Sequence, residues 1–290
     1  MGLVKIYKNG SYKVQINLDT GTRYYFGDSS KPDFPDSIDL KITQWCPHGC
    51  SFCYEESGRF GKHCNTNSLL KTLEVLPKVP LEVAIGGGSA PDHPDFKEIK
   101  NFLIDRGNIA NLTITQRDLD RFDSDIYSGI SGLGISVGSG LIIDPRIKIE
   151  GPKQVVFHVI AGITPLKDIQ SLIDASQRVL VLGYKNMGRA KKESIPNLKD
   201  VESLLKRSIG RTMATIVFDD LSINQLNIRA AVVEDSWKTL YQGPEFSHSM
   251  FIDAVEEKFY PSSTDRTNGV LFSDMNILNY FSKNHVRDSY

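Results

Sequence analysis

The sequence is short of several things, and each shortage closes off a class of protein. No apolar run approaches the roughly 20 residues that a membrane span requires. The first thirteen residues carry Lys5, Lys8 and Lys13 without the apolar core of a secretion signal. A soluble, cytoplasmic protein is the expectation. Surplus charge is also missing: 34 basic side chains face 35 acidic ones, a net charge of −1. No global field therefore draws the chain to nucleic acid or anionic lipid. Cysteine is scarce, and four in 290 residues are too few for a disulfide scaffold. Yet Cys46, Cys50 and Cys53 lie within eight residues of one another, and in a reducing compartment that crowding points to metal ligation.

What is present is ordered patterning. Val4–Tyr7, Asn9-Gly10, Tyr12–Leu18, the turn Asp19-Thr20-Gly21 and Thr22–Phe26 predict an antiparallel meander. A Ser/Pro/Asp-rich connector runs from Ser29 to Asp36. Short apolar runs then alternate with helical spacing. The strands are expected at Asp39–Thr43, Leu81–Ile85, Leu112–Thr115, Leu133–Val137, Gln154–Ile160, Val179–Leu182 and Thr215–Phe218. The helices are expected at Ser68–Leu76, Pro94–Asp105, Leu166–Ala175, Asn197–Arg207 and Leu221–Ile228. This alternation predicts the α/β class, a partial (β/α)6 TIM-like barrel over residues 37–230, preceded by the meander and connector at 1–36. Residues 231–290 form a C-terminal extension expected to shape substrate access. Within it, Ser247–Phe259 predicts a helix and Tyr260–Asn268 a loop. In such a barrel the loops after the strands build the site.

Immediately after the first barrel strand stands Trp45-Cys46-Pro47-His48-Gly49-Cys50-Ser51-Phe52-Cys53-Tyr54. This C-x3-C-x2-C run lets a short loop wrap three thiolates around one corner of an iron–sulfur cubane, leaving one iron free of protein. Gly49 permits a tight backbone approach, and Phe52 puts an aromatic ring beside the last ligand. A zinc site is the alternative, with a fourth ligand from His48, His63 or Cys64. Cys64 reads as an accessory ligand or as a free, structural thiol.

These residues resemble the radical S-adenosylmethionine superfamily, whose hallmark is C-x3-C-x-aromatic-C after the first strand. The resemblance implies that Cys46, Cys50 and Cys53 hold a 4Fe-4S cluster whose open iron binds S-adenosyl-L-methionine. Reductive cleavage then gives a 5′-deoxyadenosyl radical that takes hydrogen from a substrate. It further implies cofactor contacts from Phe52, from Gly87, Gly88 and Ser89 in the Gly86–Phe96 stretch, and from Thr115, Arg117 and Ser136 after the next strands. Gly162 and Tyr184 complete the implied set. Ser89 stands where the family usually has glutamate. An external electron donor, flavodoxin or ferredoxin, is implied because the chain carries no redox module of its own.

Other features keep two readings. His158 is a hydrogen-bonded core histidine or a substrate contact. Lys185, Arg189, Lys191 and Lys192, with Lys206, Arg207 and Arg211 beyond, form a solvated face or a receiver of phosphate at the barrel mouth. Asp219-Asp220 is expected to cap the helix at Leu221. The lack of a cysteine-rich C-terminal stretch argues against a peptide modifier with auxiliary clusters, and near-neutral charge weakens a nucleic-acid substrate. A small molecule or nucleotide is preferred. The rivals are a zinc- or cluster-binding module without catalysis, and a sensor or electron carrier.

Overall fold

The computed structural model describes residues 3–29, 31–192, 198–241 and 243–284. Ser30 of the connector, the expected helix start at Asn197 and the side chain of Lys192 lie outside the described residues. The chain begins with β1 (Val4–Asn9), β2 (Tyr12–Asn17) and β3 (Arg23–Gly27), then β4 (Ser37–Thr43), α1 (Thr66–Leu73), β5 (Glu82–Gly87), α2 (Phe96–Asp105), β6 (Ile109–Thr115), α3 (Ser124–Tyr127) and β7 (Gly132–Ser136). It continues through β8 (Gln154–Ile160), α4 (Leu166–Asp174), β9 (Arg178–Leu182), α5 (Lys199–Ser208), β10 (Thr215–Phe218), α6 (Asp220–Gln225) and α7 (Glu234–Leu240). The last elements are β11 (Ser249–Asp253), β12 (Lys258–Tyr260), β13 (Val270–Leu271) and α8 (Ile277–Asn284). The strands and helices expected between residues 37 and 230 are present, with ends displaced by three residues or fewer.

Strand periodicity explains the layers. Ile38, Leu40, Ile42, Val83, Ile85, Leu112, Ile114, Leu133, Ile135, Phe157, Val159, Val179 and Val181 alternate along β4 to β9 and are all buried. They meet helix residues at three- and four-residue spacing, such as Ile99 and Leu103 of α2 or Ile169, Leu172 and Ile173 of α4. The opposite face carries Asp39, Lys41, Thr113, Thr115, Ser136 and His158. Asn65 caps α1 by accepting from the Ser68 amide at 3.0 Å, and Asp219 caps α6 as expected, accepting from the Ser222 amide at 2.7 Å.

The ten-stranded sheet runs β10-β9-β8-β7-β6-β5-β4-β11-β12-β13, parallel from β10 to β11 and antiparallel after it. It is open, with β10 and β13 as its edges among the described residues. It is also strongly curled. The loop after β9 touches the loop after β4, with the Lys185 ammonium 4.2 Å from the Tyr54 ring centre. Five strand spacings separate those strands, about 24 Å on a flat sheet. The polar face is therefore the inside of a partial barrel.

One expectation fails. Ser247–Phe259 is not a helix: β11 lies parallel beside β4, pairing Ser249 with Ser37 and Asp253 with Lys41, and β12 folds back on it. Met250, Phe251, Ile252 and Asp253 are all buried, so no alternation shows in the sequence. Asp253 mimics a helix's polar face, but in the fold it is neutralised by Lys41 at 2.9 Å.

The meander closes the lower end. Tyr7, Tyr12, Val14, Ile16 and Phe34 pack with Ile109, and Arg23 pairs with Glu82 at 3.0 Å. Ile109 and Glu82 are the first residues of β6 and β5. Beneath the sheet, buried Asp36 accepts from Tyr12 Oη at 2.6 Å, Asn9 Nδ2 at 2.9 Å and Tyr7 Oη at 3.0 Å. Burial alone raises this carboxyl, but hydrogen bonds from His248, Tyr12 and Asn9 and the charge of Arg23 outweigh it and hold the group below its usual value. Folding therefore favours the ionised form. The stabilisation is complete above about pH 4 and is lost as pH falls through the lowered folded-state value. Asp36→Asn should cost roughly 2–4 kcal/mol at neutral pH. It should also flatten the acid limb of thermal stability, measured by calorimetry between pH 3 and 7. An acid limb identical to that of the native chain contradicts this assignment.

Candidate active site

The cysteine loop leaves β4 at Thr43, whose hydroxyl accepts from the Trp45 amide at 2.9 Å. It folds on itself: Gln44 N donates to Lys62 O at 2.8 Å, Cys46 N to Gly58 O at 3.0 Å and Gly58 N to Gln44 O at 3.1 Å. Cys46, Cys50 and Cys53 are reduced and half-buried. Burial raises the Cys46 and Cys50 thiols, and the charge of the neighbouring thiols adds to it. The His48 amide opposes the shift at Cys46, and the Arg117 and Arg189 charges oppose it at Cys50.

Neighbouring strands clasp this loop. After β5, Gly88 N donates to Thr43 O and Ser89 N to Trp45 O, both at 2.8 Å. A Cβ on Gly88 would stand 2.1 Å from the Trp45 carbonyl oxygen, so glycine is required there. The Phe52 ring packs on Gly138 after β7, where an added Cβ would meet it at 3.1 Å. After β9, Gly188 lies so close to Tyr54 that a Cβ would sit 2.4 Å from its carbonyl oxygen. Arg189 completes the clasp: its amide donates to Cys53 O at 3.0 Å, Nε to Cys50 O at 2.8 Å and Nη2 to Ser57 O at 2.9 Å. On the other side His48 Nε2 lies 2.9 Å from Asp118, which pairs with Arg121, and Arg121 grips Asp92 at 3.0 Å.

The remaining expected residues fall around the same rim. Thr115 ends β6 with its hydroxyl facing the Arg117 amide at 3.5 Å, and Arg117 is exposed with its charge felt at Cys50. Ser136 ends β7 beside His158 of β8. Gly162 has φ +78° in the turn after β8. Tyr184 is buried, its hydroxyl donating to Ala190 O at 2.7 Å and its amide to Gln225 at 2.8 Å.

Several structural partners have no local sequence signal. Lys41, buried, sits 2.9 Å from both Glu55 and Asp253. Arg266 from the C-terminal loop also binds Glu55, with Nη1 3.1 Å from Oε2. Burial raises Glu55 by itself, but Arg266 and Lys41 outweigh it and hold the carboxyl below its usual value. Lys185 donates to Ser263 Oγ at 2.7 Å and caps the Tyr54 ring, so neither Lys185 nor Arg189 belongs to a solvated face. Asp39 stands on the inner face of the barrel, reached by solvent, and the surrounding protein raises its carboxyl by desolvation despite the charge of Lys185. His158 is no satisfied core histidine: it has no hydrogen-bond partner among the described residues, and burial lowers it to about 4, a neutral ring at pH 7.

Cys64 stands apart. Its sulfur is 3.4 Å from His93 Nε2, and His93 Nδ1 accepts from the Asp95 amide at 3.0 Å, so Nε2 carries the proton. Burial pushes the Cys64 thiol up to about 12, and it stays protonated. His63 bonds Thr43 Oγ1 at 2.9 Å. With His48 on Asp118, each candidate fourth zinc ligand is engaged elsewhere. Among the described residues no three His, Cys, Asp or Glu side chains could share one metal ion. A cubane asks for something different, one thiolate on each of three irons. Two further features suit a polar ligand beside the thiols. Ser89 Oγ is buried without a partner, and a Cβ on Gly86 would meet nothing within 4 Å.

No family model and no curated protein matches the chain. Among solved structures it is similar to SuiB of Streptococcus suis bound to S-adenosylmethionine, at 10% identity, over 99% of this chain and 87% of that one, with a TM-score of 0.66. The same protein bound to its precursor peptide SuiA matches at 10% identity, over 99% and 89% of the two chains, with a TM-score of 0.65. The chain therefore has the SuiB fold along nearly its whole length, and the α/β architecture implied by the cysteine motif is the one observed.

Arg189→Lys keeps the charge and removes the planar fork. Losing the two guanidinium bonds should cost roughly 2 kcal/mol locally, about a thirtyfold rise in the exchange rate of the Cys53 and Glu56 amides. Hydrogen-exchange mass spectrometry reads this directly, and unchanged protection of residues 50–57 contradicts the clasp.

Proposed function

We propose that the chain is a radical S-adenosylmethionine enzyme whose 4Fe-4S cluster is held by Cys46, Cys50 and Cys53. The observation that carries this reading is the clasped three-thiol loop at the strand C-termini, with the unpartnered Ser89 hydroxyl beside it. When bound, the cluster and S-adenosyl-L-methionine supply reductive carbon–sulfur cleavage and, through it, hydrogen-atom abstraction. The residues' task is placement. Gly87, Gly88 and Ser89 offer the methionine end a close backbone and one hydroxyl, Arg117 offers its carboxylate a cation, and Phe52 shields the thiol loop. Thr115, Ser136, Gly162 and the Tyr184 loop line the ribose and adenine side.

The substrate enters from above the strand C-termini, because the meander closes the opposite end. The C-terminal segment narrows the opening: Arg266 reaches Glu55 and Ser263 reaches Lys185 across the barrel mouth. An inner barrel face that carries Asp39, His158 and Thr113 suits a small polar molecule. A peptide is the second substrate reading, since SuiB of the same fold was solved with a precursor peptide. The electron comes from outside the chain, in keeping with a reducing, cytoplasmic compartment.

Purified and reconstituted under argon, the protein should be brown and hold about four irons. With dithionite and S-adenosyl-L-methionine it should release 5′-deoxyadenosine, while Cys50→Ala should lose both colour and product. A colourless protein with one tight zinc would falsify the assignment, and iron without cleavage points to a carrier or sensor. Ser89→Ala should leave stability without cofactor unchanged, because Oγ has no partner. It should weaken S-adenosyl-L-methionine binding by roughly fivefold, one hydrogen bond's worth, in a calorimetric titration. Equal affinity places Ser89 outside the cofactor site.

A further inference from the structure

Between Gly58 and Lys62 the chain makes a short tip whose backbone anchors the cysteine loop and whose side chains the cofactor site does not use. Both ends are bonded to the segment around Trp45, Gly58 O to Cys46 N at 3.0 Å and Lys62 O to Gln44 N at 2.8 Å. At its apex Phe60 is fully exposed, the most exposed large apolar side chain among the described residues. Arg59 and Lys62 flank it, both exposed, and neither has an ion-pair partner among the described residues. Of the two carboxylates that precede the tip in sequence, Glu55 is consumed by Lys41 and Arg266, leaving Glu56. A bare aromatic ring between two unneutralised cations has the composition of an interface anchor.

We propose that Arg59, Phe60 and Lys62 form the docking point for a small acidic one-electron carrier protein that reduces the cluster held by Cys46, Cys50 and Cys53. The proposal rests on the enzyme reading above. Charge complementarity selects the partner: an acidic surface with an apolar spot pairs with two cations around a ring, whereas a second copy would bring like charges together. Position selects it too. Phe60 is two residues from Gly58, whose carbonyl holds the Cys46 amide, so its backbone lies no more than about 8 Å along the chain from a residue bonded to a cluster ligand. One electron leaves the carrier and enters the cluster, and no atom or proton is exchanged. Small, charge-steered, short-lived interfaces are the habit of such encounters.

The test uses two reductants on the native protein, on Phe60→Ala and on the double variant Arg59→Glu/Lys62→Glu. Dithionite needs no docking. A flavodoxin with its NADPH-dependent reductase does. Release of 5′-deoxyadenosine with dithionite should be the same for all three proteins. The flavodoxin-driven rate at low flavodoxin should fall roughly tenfold in the charge-reversed variant and several-fold in Phe60→Ala. Flavodoxin binding to the purified chain by surface plasmon resonance should weaken with salt and be lost on charge reversal. Equal flavodoxin-driven rates, or binding indifferent to the substitutions, overturn the proposal. Parallel loss with both reductants overturns it as well, because the tip would then serve the site itself. A native protein inert with dithionite defeats the enzyme reading instead, and the binding measurement still judges the docking surface.

Discussion

A loop with no regular structure cannot satisfy its own backbone, and the segment after β4 meets that constraint by borrowing partners from distant parts of the chain. Its polar groups bond to residues 58–62, to the amides of Gly88 and Ser89 and to the guanidinium of Arg189. The His48 ring adds a tie to Asp118. The course of the segment that carries Cys46, Cys50 and Cys53 is thus set by three other loops at the strand C-termini. Three thiols on a free loop would scatter. Held this way, the backbone that carries them is fixed by the fold itself.

The same principle governs the charged groups inside the barrel. Lys41 is buried and held between Glu55 and Asp253, with Arg266 also bonded to Glu55. A buried ion pair of this kind is close to break-even as a source of stability, yet removing one partner leaves a costly unpaired charge. Its effect is geometric. It joins the cysteine loop, β11 and the loop that carries Arg266 in one arrangement, so these segments are bound into the wall of the site. Lys185 works alike, bridging the loop after β9 to Ser263 and Tyr54.

Much of the architecture was legible because one face of strands β4 to β9 always meets helices, and alternation records that in the residues themselves. The cysteine motif was legible because its three thiols fall on one loop. Ser247–Phe259 was not, since β11 is covered on both faces and a strand buried twice loses its alternation. Arg189 read as part of a basic surface run, although its partner Cys50 is 139 residues away. Arg266 gave no signal at all, being 211 residues from Glu55.

The order of strands and helices, the grouping of three thiols and the glycines at close approaches are local properties, and the sequence alone determined them. Only the tertiary structure decided which cations turn inward, which carboxylates they neutralise and where Phe60 is left bare. The reason is the curl of the sheet. It brings the ends of β4 and β9 together across five strand spacings, and that curvature arises from the packing of all the layers at once, not from any stretch of residues.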